Sequence, residues 1–189
     1  MKGKTLCKTI ACLLAAGLLW GGTPQAQEVN KGEIPAAHLE TSFKALPWGS
    51  PVWDESEAIE ALKGGGKELW VDTRPASFFE KGTVSGAIHL EYDKGGSPDN
   101  TLTAESLTAA IAEKGGSKED TTVVLFCQGP TCHRSYNAAY VAVKEWGFDA
   151  GRIVWFRAGY PLLLKAVKED PKLSRKAKTF ISEAGLKEL

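Results

Sequence analysis

Three features of the sequence predict an α/β protein, a three-layer sandwich around a mainly parallel sheet. Short runs of β-branched and aromatic residues, such as VVLF before Cys127, alternate with longer stretches whose apolar residues recur at helical spacing. Glycine closes several of those helical stretches, at Gly64-Gly65-Gly66, at Gly115-Gly116 and at Gly147. A chain of 189 residues with 43 % hydrophobic content suffices for one substantial core and is too short for two full-sized domains. Strands that alternate with helices build a parallel sheet with helices packed against it.

The first 26 residues read as an export signal. Lys2, Lys4 and Lys8 form a basic start, and Ile10 to Trp20 is an apolar run too short to span a bilayer comfortably. Gly21, Gly22 and Pro24 break it, and Ala26 offers the cleavage point. The expectation is therefore a periplasmic or secreted protein that starts near Gln27. An uncleaved membrane anchor is the alternative, because Pro24 is poorly placed for a signal peptidase. Cleavage removes Cys7 and Cys12 and leaves Cys127 and Cys132 as the cysteines of the mature chain. In an oxidising compartment such a pair can close a disulfide.

Residues 27–49 lack periodicity and read as an extended lead-in that packs Phe43, Leu46 and Trp48 onto the domain. His38, alone in this stretch, reads as a surface histidine. The domain proper is expected over 50–170. Val52 begins a short strand, and Asp54 or Ser56 caps a helix running to Leu62. Glu68 to Asp72 is a buried strand, 73–86 a loop with one helical turn, and Ala87 to Leu90 a further short strand. A polar, Gly-rich loop over 91–100 precedes Thr103, which caps a helix to Lys114. Next come the strand Thr122 to Phe126, then Cys127, a short loop, and a helix from near Arg134. Ala138, Val141, Ala142 and Trp146 give that helix its inward face. Arg152 to Phe156 is another strand, and Ala158-Gly159-Tyr160-Pro161 opens a helix through Val167. Over 171–189 an amphipathic helix from about Lys172 to Leu186 is expected to pack on the domain. Trp48, Trp53, Trp70, Trp146 and Trp155 read as core or rim packing.

Charge excludes some functions. With 23 basic and 23 acidic residues, nucleic acid is not a main partner, since phosphate binding needs a basic surface. Three scattered histidines and two neighbouring thiols fall short of a four-ligand metal site, so no metal is expected.

The chemistry concentrates at Cys127. A cysteine at the C-terminal end of a strand, followed by a loop that enters a helix N-terminus, has amide N–H groups and the positive end of the helix dipole directed at its sulfur. The thiolate is favoured there, and an anion can be cradled above it. The expected picture is a charged sulfur on the floor of an amide-lined bowl, reachable from outside. In α/β sheets this edge, beyond the carboxyl ends of the strands, is where ligands bind. The plainer reading is a buried structural cysteine at a strand end.

Two stretches resemble the rhodanese family. VDTRPASFFEKGTVSGAIHL (Val71 to Leu90) is similar to its first signature: Asp-x-Arg after a strand, an aromatic, a Gly, then Gly-Ala-Ile-His-Leu. VVLFCQGPTCHRSYNAAYVAVKEWGF (Val123 to Phe148) is similar to its active-site stretch, and IVWFRAGYPLLLKA to the strand and turn that follow. Agreement in order and spacing spans roughly residues 50 to 168, and two signatures together are far more specific than one. The resemblance implies a rhodanese-like fold and a single-domain sulfurtransferase. In such an enzyme Cys127 takes the outer sulfur of a donor such as thiosulfate, holds it as a persulfide, and passes it to an acceptor. By the same resemblance Cys127 is catalytic, while Arg134 ends the loop and Ser135 opens the helix. The loop amides from Gln128, Gly129, Thr131, Cys132 and His133 to Arg134 hold the transferred sulfur's charge, and Arg134 orients the donor. Asp72 and Arg74 support the loop structurally. No cofactor is implied beyond the covalent persulfide. The implied partners are a small anionic sulfur donor, a thiol or cyanide-like acceptor, and a periplasmic redox protein.

The sequence also departs from the family pattern. Six residues, QGPTCH, separate Cys127 from Arg134. The usual sulfurtransferase loop has four and the related phosphatases five, so this cradle must be wider or bulged and the phosphatase spacing is not met. Phe78, Thr83 and Ser85 stand where the first signature usually has Glu, His and Pro. Cys132 is an addition with three readings: a resolving thiol that attacks the persulfide and releases sulfide, half of a regulatory disulfide, or a bystander. His133 either polarises the site or points to solvent. Two other functions fit the same residues. One is a non-catalytic binding or thiol-redox module that uses the Cys127/Cys132 pair. The other is a stretched c-type haem attachment at Cys127, Cys132 and His133.

Overall fold

Five short apolar runs pair side by side into one parallel sheet, and the pairing fixes where Cys127 stands. The computed structural model describes residues 33–94 and 96–183; the stretch expected to be an export signal and the chain from 184 onward, including the end of the expected C-terminal helix, lie outside the described residues. In chain order the elements are β1 Val52–Trp53, α1 Glu55–Lys63, β2 Leu69–Asp72, α2 Ala76–Phe79, β3 Gly82–Val84, β4 Ile88–His89, α3 Ala104–Glu113, β5 Val123–Phe126, α4 His133–Lys144, β6 Ile153–Phe156, α5 Gly159–Glu169, α6 Pro171–Ser174, α7 Ala177–Phe180 and β7 Ile181–Glu183. The sheet order is β1-β6-β5-β2-β4, parallel throughout, with β5 in the middle.

Side chains alternate across each strand, so both faces of the sheet are apolar and both need a cover. Val123 and Leu125 of β5 join Val71, Ile153 and Trp155 in a core covered by α3 and α4 through Leu107, Ile111, Ala138, Ala139 and Ala142. Val124 and Phe126 face the other way and join Trp70, Val154 and Phe156 under α1 and α5 through Ala58, Leu62, Leu163 and Val167. Three layers result. Small alanines on α4 let that helix lie close against β5 and β6, which sets its N-terminus near the end of β5.

Registers bring Asp72, Phe126 and Phe156 level across the sheet. The residues that follow, Thr73, Cys127 and Arg157, therefore leave the sheet at one edge. Arg157, fully buried, ties the lead-in there: its guanidinium binds the carboxylate of Asp54 and the carbonyls of His38 at 2.9 Å and Phe43 at 3.3 Å, and also reaches the Glu40 carbonyl.

Three details differ from the expectation. His38 is not at the surface: only 6 % exposed, it hydrogen-bonds Tyr136 through Nδ1 at 2.9 Å and stacks on Phe43. The stretch 73–86 holds a strand, β3, besides its helical turn. The C-terminal segment is not one helix. Asp170 caps the single turn α6, which has Pro171 at its first position. A second single turn, α7, then leads into β7, antiparallel to β3. Leu173, Ala177 and Phe180 do fit helical spacing. However, β3 presents strand amides and carbonyls that need partners, and residues 181–183 supply them.

Candidate functional site

The site is the loop between β5 and α4. Phe126 ends β5 with its carbonyl held by the Thr73 amide at 3.0 Å and the Thr73 hydroxyl at 2.8 Å. The carbonyl of Cys127 accepts from the Tyr160 amide at 3.1 Å. The Cys132 amide donates to the Gly129 carbonyl at 3.0 Å and closes a turn at the helix entrance, where Cys132 is the N-cap of α4. Gly159 makes the close approach of α5 to this loop feasible. Its φ is +68°, and a Cβ there would collide with the Cys127 carbonyl and stand 2.7 Å from the Gly129 nitrogen.

Cys127 is not the open thiolate expected from the sequence. It is 1 % exposed, and its sulfur is bonded to Cys132, with the two Cα atoms 6.2 Å apart. The cause is local. Capping α4 with Cys132 turns that side chain back over the strand end, where its sulfur meets the sulfur the bowl was to display. Such a bond does less for the fold than one that closes a long loop. A ring this short restrains the unfolded chain by about 2 kcal/mol, against about 4.7 kcal/mol for a loop of roughly a hundred residues. Hydrogen bonds from Tyr160 and Thr73 fix the same loop already.

Three arginines stand at this edge, and each is matched by a carboxylate. Arg74 and Asp72 form a buried pair, with Nη2 to Oδ2 at 2.6 Å and Nε to Oδ1 at 2.9 Å. Asp72 also accepts from the Thr83 hydroxyl at 2.7 Å, and Arg74 donates to the Gly82 carbonyl at 2.6 Å. The pair reaches the loop through Arg74 Nη1 and Gln128 Oε1 at 3.5 Å, while the Arg74 guanidinium lies over the Tyr160 ring at 4.7 Å. His89 Nε2 bonds the Arg74 carbonyl at 2.7 Å. Arg134 is half-buried and turned toward the 91–100 loop: it binds Asp93 at 2.9 Å, the Tyr92 carbonyl at 2.9 Å and Glu91 at 3.5 Å. Arg157 holds Asp54.

The remaining loop residues divide by burial. Thr131 is exposed, Gln128 half-buried and Gly129 buried, the last with φ +145°. Ser135, in the first turn of α4, is 1 % exposed, and its hydroxyl has no hydrogen-bond partner among the described residues. His133 does not point freely to solvent. Its Nε2 is buried without a hydrogen-bond partner among the described residues, and burial, helped by Lys94 and Arg134 against the pull of Asp93, lowers its pKa from the usual 6.5. Burial raises the Tyr160 phenol far above its usual range, with Glu183 and Asp72 adding to the shift and Arg74 opposing it.

Sequence reasoning did not assign three contributors. Gly159 and Tyr160 hold the loop from beneath, and Thr73 pins the strand end. Gly159 carried a signal, a glycine where the short turn after a strand enters a helix, but the contact it permits is long-range. In the form described, the two sulfurs that a haem would need for thioether bonds are joined to each other, and Cys127 has almost no surface. Among the described residues no group of three or more His, Cys, Asp or Glu could hold a metal ion, and no helix is long and apolar enough to cross a membrane.

A central parallel sheet, helices on both faces, and a cysteine loop entering a helix at the end of the middle strand define a protein of rhodanese architecture. Residues 55–163 match the family model described as the rhodanese-like domain, more than half of the chain, and the protein belongs to that family. No curated protein matches it. Solved structures similar to it include a Saccharomyces cerevisiae protein described as a homologue of single-domain rhodanese and a phosphatase catalytic domain. That pair shares 16 % identity and a TM-score of 0.49 over 69 % of this chain and 86 % of the other. The As–Sb reductase of Leishmania major shares 17 % identity and a TM-score of 0.47 over 65 % and 82 %. A Bacillus halodurans protein shares 20 % identity and a TM-score of 0.45 over 60 % and 71 %.

Proposed function

We propose that the protein is an exported sulfurtransferase that works from the reduced form of its site. The Cys127 thiolate attacks the outer sulfur of a donor such as thiosulfate. The donor's S–S bond breaks, sulfite leaves with the electron pair, and the sulfane sulfur stays on Cys127 as a persulfide. A thiol or cyanide then accepts that sulfur. The observation that carries this reading is the seat of Cys127 at the C-terminal end of the middle strand, facing the first turn of α4. Amides there favour a thiolate and a persulfide anion alike, so no separate base is needed.

A second reading, a thiol-redox module without sulfur transfer, is favoured by the Cys127–Cys132 bond itself. Intact mass separates the two. Reduced full-length Cys132→Ser protein, freed of reductant and given thiosulfate, is expected to gain about 32 Da on Cys127, one sulfur atom, and to lose it to cyanide as thiocyanate. No gain on a folded protein whose Cys127 still titrates with a thiol reagent would overturn the sulfurtransferase reading in favour of the redox module.

A further inference from the structure

We propose that Cys132 is the resolving thiol of this site, so that each turnover ends in the Cys127–Cys132 disulfide, sulfide is the product, and a dithiol protein is the partner that resets the enzyme. This rests on the sulfurtransferase reading and extends it from sulfur transfer to the reductive release of sulfur.

The backbone anchors carry the argument. The Cys127 carbonyl is held by Tyr160, and the Cys132 amide by Gly129, within one closed turn. With both ends fixed and the Cα atoms 6.2 Å apart, the two sulfurs meet without movement of any strand or helix. A persulfide formed on Cys127 therefore has a second thiol within bonding reach from the moment it forms. Arg134 is bound to Asp93, Glu91 and the Tyr92 carbonyl of the 91–100 loop.

The steps balance. Cys127 takes the sulfane sulfur from thiosulfate and sulfite leaves. The Cys132 thiolate then attacks Cys127 Sγ, the Sγ–sulfane bond breaks, and hydrosulfide departs with the electron pair. Two thiols are oxidised to a disulfide, and one sulfane sulfur is reduced to sulfide. Reset is thiol–disulfide exchange. Cys132 is half-buried whereas Cys127 is almost fully covered, so an incoming thiolate meets Cys132 first and forms a mixed disulfide there. Cys127 leaves as the thiolate, the form that the N-terminal end of α4 favours. A second thiol on the partner then cleaves the mixed disulfide, which is why the partner is a dithiol and not a single thiol.

The experiment is a single turnover without added thiol. Reduced full-length protein, freed of reductant and kept from oxygen, is mixed with thiosulfate; sulfite, sulfide and intact mass are followed together. Wild type is expected to release one sulfite and one sulfide per chain and to lose about 2 Da as the disulfide closes, with no lasting gain. Cys132→Ser is expected to release sulfite alone and to hold a gain of about 32 Da on Cys127. Wild type that keeps this gain and releases no sulfide would overturn the resolving role and leave the sulfurtransferase reading intact. Absence of sulfite and of any mass gain from both proteins would overturn the sulfurtransferase reading, and the resolving role with it. The wild-type measurement decides the question by itself if Cys132→Ser does not fold.

Discussion

Arg134 and Asp93 are joined at 2.9 Å, so the cation that closes the cysteine loop is held by an acidic neighbour on the 91–100 loop. A dianionic donor must compete with that carboxylate for the guanidinium. Half-exposed pairs of this kind contribute about 0.5–1 kcal/mol. Asp93→Asn is therefore expected to lower KM for thiosulfate about two- to five-fold with kcat little changed, because the released cation strengthens donor binding before and during the reaction alike. Both proteins are compared in the Cys132→Ser background, where no disulfide can close, and an unchanged KM in steady-state thiosulfate:cyanide assays would show that Arg134 does not meet the donor.

Asp72 and Arg74 make the opposite kind of pair. Both are buried, and the carboxylate also serves Thr83 while the guanidinium serves Gly82 and Gln128. Removing one partner strands a buried charge. Arg74→Ala is expected to destabilise the protein by about 3–5 kcal/mol, read as a lowered urea midpoint, whereas surface pairs such as Lys63–Glu60 should be nearly neutral on removal. Full stability with lost sulfur loading would instead make Arg74 a group that acts on the reaction.

The site was legible in the sequence where its causes are local. VVLF followed by Cys127 and a helical pattern from Arg134 sets strand, loop and helix within one stretch, and the structure has β5, the turn and α4 there. What escaped depends on distant partners. His38 lies 98 residues from Tyr136, and no local pattern announces that bond. The tail from 172 onward carries helical spacing, yet its last residues pair with β3, about a hundred residues earlier. The disulfide was one of three open readings of Cys132. Spacing alone could not choose, because the N-cap geometry that brings Cys132 over Cys127 is set by how α4 packs.

Gly159 offers a test of the loop's support. With φ at +68° and the Cys127–Gly129 backbone against its α-carbon, an alanine there meets both a strained conformation and a collision with main chain that cannot swing aside. Gly159→Ala is expected to lower stability by about 1–3 kcal/mol and to slow sulfur loading by displacing the Cys127 carbonyl from Tyr160. Gly65→Ala is the control. Gly65 has φ +97° but open space around it, so it should show the conformational penalty without the loading defect. Equal loading by both variants would argue that the α5 approach does not shape the site.

His38 predicts how stability follows pH. Burial lowers its pKa from the usual 6.5, and Phe43, Tyr136 and the Arg157 guanidinium at its carbonyl supply no negative charge to offset that. As pH falls through 6.5 the unfolded chain takes up the proton first, so the unfolded state is favoured by mass action. The contribution is complete above about 6.5 and is lost as pH drops toward the folded pKa, at no more than about 1.4 kcal/mol per pH unit for each histidine. His133 is shifted the same way and adds to the slope, though its partial exposure weakens the effect. Glu57 stays out of this window. Glu57 is held down to about 2, against the effect of burial, by hydrogen bonds from backbone amides, Ser56 and Lys44, so its loss comes below 4.5. Urea midpoints should fall between pH 7.5 and 5.5, and His38→Phe should start lower, having lost the Tyr136 bond, yet decline less steeply. A variant whose midpoint falls as steeply as wild type would show that His38 is already free to take a proton in the folded chain.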